Sequence, residues 1–315
     1  MLLQRQLTTR SLLWVTTITL LLAPFLLAQP SNVSVFATGF NNPRGLKFGP
    51  DGNLYVAEGG AGGVMSTAGL CDQVVAPVGP YTGGFTGRIS KVAPDGTVTT
   101  VAANLPSSQT SPAQGSLVSG VADVAFSGNI LYAILAGAGC SHGTAGTDNG
   151  VLRVNKDGST AMIADLSVFQ KKHPVANPEP DDFEPDGTWY SMVEVNGTFF
   201  AIEPNHGELD AIGPGGQIRR IADISQVQGH IVPTALAFDG HNFLVGNLDT
   251  FPIKDGSSFG FCETPEVLVY LTRWYPIAAP RRFVATVENT PPPPRRSDGT
   301  GGSAEAGQQY GGQRS

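Results

Sequence analysis

Carboxylates, amides and imidazoles recur in this chain at the ends of short apolar runs. Glu58 closes "NLYVAE", Glu203 closes "TFFAIE" ahead of Asn205 and His206 in "EPNHG", and Asn247 closes "NFLVGN" just before Asp249. A hard cation such as Ca2+ takes about six to eight oxygen ligands, and Glu58, Glu203, Asn205 and Asn247 offer oxygens of that kind. His142 in "GCSHG", His206, and His230 in "QGHIVP" supply imidazoles. Around an open position they would make a Zn2+ hydrolytic centre, with His206 or His230 as acid/base, although no HExxH-type spacing frames them. Cys140 or Ser141 beside a histidine is a nucleophile arrangement in outline. "GCSHG" is not G-x-S-x-G, however, and no strand-to-helix elbow surrounds it. The opposing expectation is structural: such side chains cap strand ends and bind backbone amides.

The stretch "HPVANPEPDDFEPDGTWY" adds Glu179, Asp181, Asp182, Glu184 and Asp186 between Pro174, Pro178, Pro180 and Pro185. Proline lowers the entropy lost when a loop orders, so this is a loop built to be ordered. Its carboxylates serve either as a docking surface for a partner or cations, or as a cover whose charges meet Arg44, Lys171, Lys172 or water.

The elements that position these residues are strands. "GLKFGPDGNLYVAE" and "GRISKVAPDGTVTTVA" are two hairpins; "VADVAFSGNILYAIL" with "GVLRVNKDGSTAMIA" and "WYSMVEVNGTFFAIE" with "GELDAIGPGGQIRRIA" repeat the pair, and "PTALAFDGHNFLVGN" opens a fourth unit. Asp-Gly, Asn-Gly and Gly-Gly between alternating apolar runs are strong hairpin signals. Two hairpins per unit make a four-stranded blade, and repeated blades make an all-β propeller of which about four blades are visible. A sandwich is the alternative, but it does not account for Phe48, Phe126 and Phe238 recurring just before a turn. With strands lettered A to D in each blade, the A–B and C–D turns are short while the B–C and D–A connections are long and polar. Because strand direction alternates, all long connections share one face. Glu58, Cys140, His142, Glu203, Asn205, His206, Asn247 and Asp249 then lie at or just beyond B-strand ends. Asn41, Asn42, Arg44, the acidic loop, Gln228 and His230 belong to D–A connections. Trp189 and Tyr190, at the start of an A strand, line the channel or pack between blades. In an oxidising compartment Cys71 and Cys140, both in B–C loops of neighbouring blades, are a disulfide pair; the alternative is two buried thiols, and Cys262 is left over.

Residues 1–28 read as a secretion signal, with Arg5 and Arg10 ahead of "SLLWVTTITLLLAPFLLA" and Ala28 before Gln29. Pro24 and the short apolar run disfavour an uncleaved anchor, so the mature chain is expected to carry no transmembrane span and to act in the periplasm or outside the cell. Losing Arg5 and Arg10 takes the formal charge from -7 to -9, which argues against a nucleic-acid surface. The propeller domain is expected over 29–255, an irregular continuation over 256–289, and a disordered Pro/Gly/Arg-rich tail over 290–315.

"FNNPRGLKFGPDGNLYVAEGG", "YTGGFTGRISKV", "GVADVAF", "LYAILAGAGCSHG", "HPVANPEPDDFEPDGTWYSM", "EPNHGELD", "QGHIVPTALA" and "VGNLDTFPI" together resemble the ScyD/ScyE family, exported proteins named for scytonemin-biosynthesis gene clusters. The resemblance runs over about residues 33–254 and implies a six-bladed, TolB-like propeller related in architecture to NHL-repeat and gluconolactonase-type proteins. It brings no catalytic residues with it. After Ser257 the chain departs from the family pattern, as a truncation or frameshift would make it do. Two functions stay open: a binding or scaffolding protein whose long-loop face engages a small molecule or a protein, and a metal-dependent hydrolase or lactonase-like enzyme, with Ca2+ or Zn2+ at the mouth.

Overall fold

A computed structural model of the protein describes residues 34–178, 180–181, 183–228 and 232–247. The expected export segment 1–28, Asp182, His230, Asp249 and the segments 256–289 and 290–315 lie outside the described residues, as does the Asn247 side chain.

The described chain is built of antiparallel meanders. Blade 1 contains β1 (Pro43–Phe48), β2 (Leu54–Glu58), β3 (Thr82–Val92) and β4 (Val98–Gln109), extended by the short β5 (Val118–Ser119). Blade 2 is β6 (Val121–Ser127), β7 (Ile130–Leu135), β8 (Gly150–Val154) and β9 (Thr160–Asp165). Blade 3 is β10 (Ser191–Val195), β11 (Thr198–Glu203), β12 (Glu208–Ile212) and β13 (Ile218–Asp223), and β14 (Pro233–Phe238) pairs with β15 (Phe243–Asn247) to begin a fourth. The hairpin turns fall where the Asp-Gly and Asn-Gly signals place them.

Strand alternation sends successive side chains to opposite faces of a blade, so each blade shares one apolar layer with each neighbour. Val124 faces a layer with Ala57, Ile89 and Leu105 of blade 1, while its neighbour Ala125 faces Trp189, Phe199 and Ile212 of blade 3. A third layer joins Ile202 and Leu209 to Leu236 and Val245. Trp189 is fully buried in the second layer and so packs between blades.

A second contact repeats from blade to blade. A Cβ on Gly158, in the C–D turn of blade 2, would come within 2.7 Å of the Val101 carbonyl oxygen on β4, and one on Gly216 of blade 3 within 2.0 Å of the Ile163 oxygen on β9. Each turn thus rests directly on the outer strand of the preceding blade. Gly96 of blade 1 makes the same contact with the Phe36 oxygen, at 2.7 Å, so the stretch around Phe36 stands where a preceding blade's outer strand would stand.

Two features depart from the expected pattern. β3 and β4 continue well past the hairpin read from "GRISKVAPDGTVTTVA", forming a ribbon that reaches over the long-loop face. The D–A connections of blades 2 and 3 begin with short helices, α1 (Leu166–Lys172) and α2 (Ile224–Gln228). Asp165 caps α1 by accepting from the Val168 N–H at 2.8 Å, and Lys171 and Lys172 occupy its last turn, where cations suit the helix dipole. Among the described residues no helix is long and apolar enough to cross a membrane.

Candidate functional site at the long-loop face

Connections from three blades meet at one buried polar centre. The blade 1 ribbon brings Tyr81 and Ser108, the B–C loop of blade 2 brings Ser141 and His142, and the acidic connection into blade 3 brings Glu184 and Asp186. His142 is fully buried, and its Nδ1 lies 2.9 Å from Ser108 Oγ. Its Nε2 faces two acceptors, the Gly187 carbonyl at 3.1 Å and Glu184 Oε2 at 3.3 Å, so this nitrogen carries a proton. The second contact is an ion pair without good hydrogen-bond alignment. Tyr81 donates to Glu184 Oε1 at 2.6 Å and sets its ring edge-on to the imidazole, with centroids 5.2 Å apart. Burial pulls the His142 pKa down, but Glu184, then Asp186 and the Gly187 carbonyl, outweigh it and leave the imidazole above its ordinary value.

Asp186 locks the neighbouring positions. The Ser141 N–H and hydroxyl donate to its Oδ2 at 2.6 and 2.7 Å, and Lys171 of α1 pairs with Oδ1. Burial works against the Asp186 anion, yet Lys171 and Ser141 together hold its pKa below the usual carboxylate range. Cys71 and Cys140 form a disulfide between the B–C loops of blades 1 and 2.

The acidic connection is also tied to blade 3. Arg220 on β13 pairs with Glu208 on β12 and donates to the carbonyls of His173 and Pro174. The Ala176 N–H donates to Asp223 Oδ2 at 2.9 Å, and the Asn177 N–H to Ser225 Oγ at 3.0 Å. Lys171 and Arg220 therefore serve the acidic connection, while Arg44 meets the Tyr190 ring at its end and, among the described residues, none of its carboxylates.

Glu58 and Glu203 occupy the ends of β2 and β11, each bound to its own surroundings. Glu58 accepts from the Asn41 N–H at 2.7 Å, from Arg88 Nε at 2.7 Å and from Ser90 Oγ at 2.5 Å. Glu203 accepts from the Thr188 N–H at 2.8 Å and the His206 N–H at 2.6 Å, with His206 Nδ1 at 3.2 Å. In both blades the carboxylate holds the loop entering that blade's A strand, which is the strand-end capping role. Among the described residues no three His, Cys, Asp or Glu side chains form a group able to hold a metal ion. Asn205 is buried beside His206, and the Phe183 ring meets the His206 imidazole edge-on at 4.9 Å. Burial lowers the His206 pKa, but Glu203, with Glu208 and Glu184 behind it, raises it more.

The open part of this face carries other groups. Arg44 on β1 lies over the Tyr190 ring, 5.5 Å from its centroid, and donates to the Val118 carbonyl, so it bridges the inner edges of blades 1 and 3. Asp181 is exposed and Phe183 partly so. Sequence reasoning missed Tyr81, Ser108 and the locking role of Asp186. It also missed Asp123, on the inner strand of blade 2, which accepts from the Met192 N–H at 2.9 Å, Ser191 Oγ at 3.3 Å and the Val124 N–H at 2.8 Å. The residue keeps some surface open, but desolvation of its carboxylate pushes its pKa up to about 6. A carboxylate inside the otherwise apolar run "GVADVAF" was the available signal.

Sheets of four antiparallel strands stacked through shared apolar layers, with one face of short turns and one of interlocked loops, define a β-propeller. No family model matches the chain, and no curated protein matches it. Among solved structures it is similar to a selenomethionine-substituted virginiamycin B lyase from Staphylococcus aureus, at 15% identity and a TM-score of 0.35, over 69% of this chain and 57% of that one. The match thus spans little more than half the length of the lyase.

Proposed function

We propose that this is an exported propeller of the ScyD/ScyE type, six-bladed in its complete ring, that binds a small molecule or a protein in the cell envelope through its long-loop face. The observation that carries the reading is the interlocking of loops from three blades by the His142–Glu184 pair, the Tyr81 and Ser141 hydrogen bonds and the Cys71–Cys140 disulfide. Ordering these loops in the free protein removes entropy that binding would otherwise have to supply, which is how a preorganised recognition surface gains affinity. The buried imidazoles and carboxylates hold that surface in place, and Arg44, Tyr190, Asp181 and Phe183 form its accessible part.

The test joins location to surface. Protein recovered from the periplasm or medium, lacking residues 1–28, is compared by hydrogen exchange with and without the envelope fraction of its host. The expected result is added protection over residues 136–149 and 173–190, lost in an Arg44→Glu, Phe183→Ala variant. Retention in the cytoplasm removes the export reading, and unchanged exchange at these loops removes the binding face.

A further inference from the structure

The opposite face holds a groove that the long-loop reading leaves unused. Between blades 1 and 2, where the short turns lie, a cavity of about 550 Å³ opens. That volume lies within the roughly 300–1,000 Å³ of small-molecule sites. Its floor includes Tyr55 and Phe126, packed edge-to-face with centroids 4.9 Å apart, together with Leu131. Three cations line it: Lys91 from blade 1, Arg153 and Lys156 from blade 2.

Those cations outnumber the acids around them. None joins an ion pair among the described residues. Arg153 gives its guanidinium to a neutral acceptor, Asn155 Oδ1, at 3.0 and 3.2 Å. Asp157, the acid lining the groove, is turned into its own turn, accepting from the Ser159 N–H at 3.0 Å and hydroxyl at 2.7 Å. Asp51, held ionised by Asn53 and the Tyr55 hydroxyl, is a second acid near Lys91, so three cations face two carboxylates. The groove is thus net positive on a chain of formal charge -7. Its walls are also fixed relative to each other, because the Gly158 turn bearing Lys156 rests on β4 of blade 1.

We infer that this groove is a binding site for a small aromatic anion, with its ring body against Tyr55 and Phe126 and its acid group among Lys91, Arg153 and Lys156. The cations supply charge-assisted hydrogen bonds and the rings supply apolar contact, so neither a bare anion nor a neutral ring satisfies both parts.

The test is calorimetric titration of the purified protein with naphthoate, with naphthalenemethanol as the neutral counterpart and inorganic sulfate as the bare anion. Naphthoate is expected to bind at one site per chain and to weaken as salt rises. Arg153→Gln with Lys156→Gln, both at exposed positions, weakens it about tenfold or more, as loss of a charge-assisted contact requires. Lys91→Gln, on the other wall, acts in the same direction and serves if the paired variant melts early. Arg44→Gln, on the far face, leaves binding unchanged, which separates this site from the long-loop surface. Absence of naphthoate binding, equal affinity for naphthalenemethanol or sulfate, or indifference to both groove variants overturns the inference.

Discussion

The hydroxyl of Tyr81 donates to Glu184 Oε1 at 2.6 Å across 103 positions of chain, joining the ribbon of blade 1 to the connection entering blade 3 over the top of blade 2. Both residues are buried, so the bond is not exchanged for one to water. Tyr81→Phe keeps the ring contacts and strands one carboxylate oxygen, at a cost of about 1–3 kcal/mol. Urea denaturation measures it. Adding Glu184→Gln to Tyr81→Phe should cost less than the two single changes together, because the second change acts on a group that has already lost one of its partners.

The His142–Glu184 contact makes stability depend on pH. The folded imidazole titrates above its ordinary value of about 6.5, so the folded state holds this proton more tightly than the unfolded chain. Its contribution is complete below the ordinary value and is lost as pH rises through the folded one. Urea midpoints followed upward from slightly acidic pH should therefore fall. His142→Gln should make that part of the profile shallower, leaving the share that His206 contributes by the same chemistry, whereas a parallel, merely lowered curve would mean the His142 imidazole is not a titrating group.

Asp123 produces a fall at lower pH by the opposite chemistry. An acid whose folded pKa is raised to about 6, against 3.8 ordinarily, binds its proton more tightly when folded, so stability drops as pH climbs between those values. The full loss is about 3 kcal/mol as an upper bound. Asp123→Asn should remove its own share of this slope, leaving that of Glu208 and Asp210, which burial also raises, and the later His142-dependent one. The site is also tight: a Cβ on Gly45 of blade 1 would stand 1.9 Å from Asp123 Oδ1, so Gly45→Ala should lower the melting temperature measurably through overpacking.

The blades were legible because their signals are local. A turn such as "GPDGN" between alternating runs specifies a hairpin whatever surrounds it, and strand alternation then sorts long loops from short turns. The ribbon beyond Arg88 was hidden, since "TGGFTG" and "PSSQ" have no apolar alternation; their pairing rests on packing, with a Cβ on Gly83 meeting the His142 carbonyl oxygen at 2.3 Å. α1 spans seven residues, too short for helical periodicity to stand out. In the acidic loop, composition could mark a functional or structural stretch but could not rank its carboxylates. Burial separates Glu184 and Asp186 from exposed Asp181, and it depends on Tyr81, Ser141 and Lys171 arriving from elsewhere. The B-strand carboxylates show the same limit, because an oxygen ligand for a cation and a cap for backbone N–H groups have the same residue type.

The Cys71–Cys140 disulfide closes a span of 69 residues. By the chain-entropy account, a closed loop of that length restricts the unfolded state by roughly 4 kcal/mol, with native strain able to reduce the gain. Reduction, or Cys71→Ser with Cys140→Ser, should lower the urea midpoint by a corresponding amount. The blade 2 B–C loop is also joined to blade 1 by the Thr67 hydroxyl donating to the Cys140 carbonyl and by the Ser108–His142 hydrogen bond from the ribbon, so the two should stay in contact when the sulfurs separate. Hydrogen exchange after reduction is therefore expected to speed up around residues 66–73 while the protection of β7 and β8 persists. Loss of protection throughout blade 2 would instead mean that the disulfide holds the blade itself together.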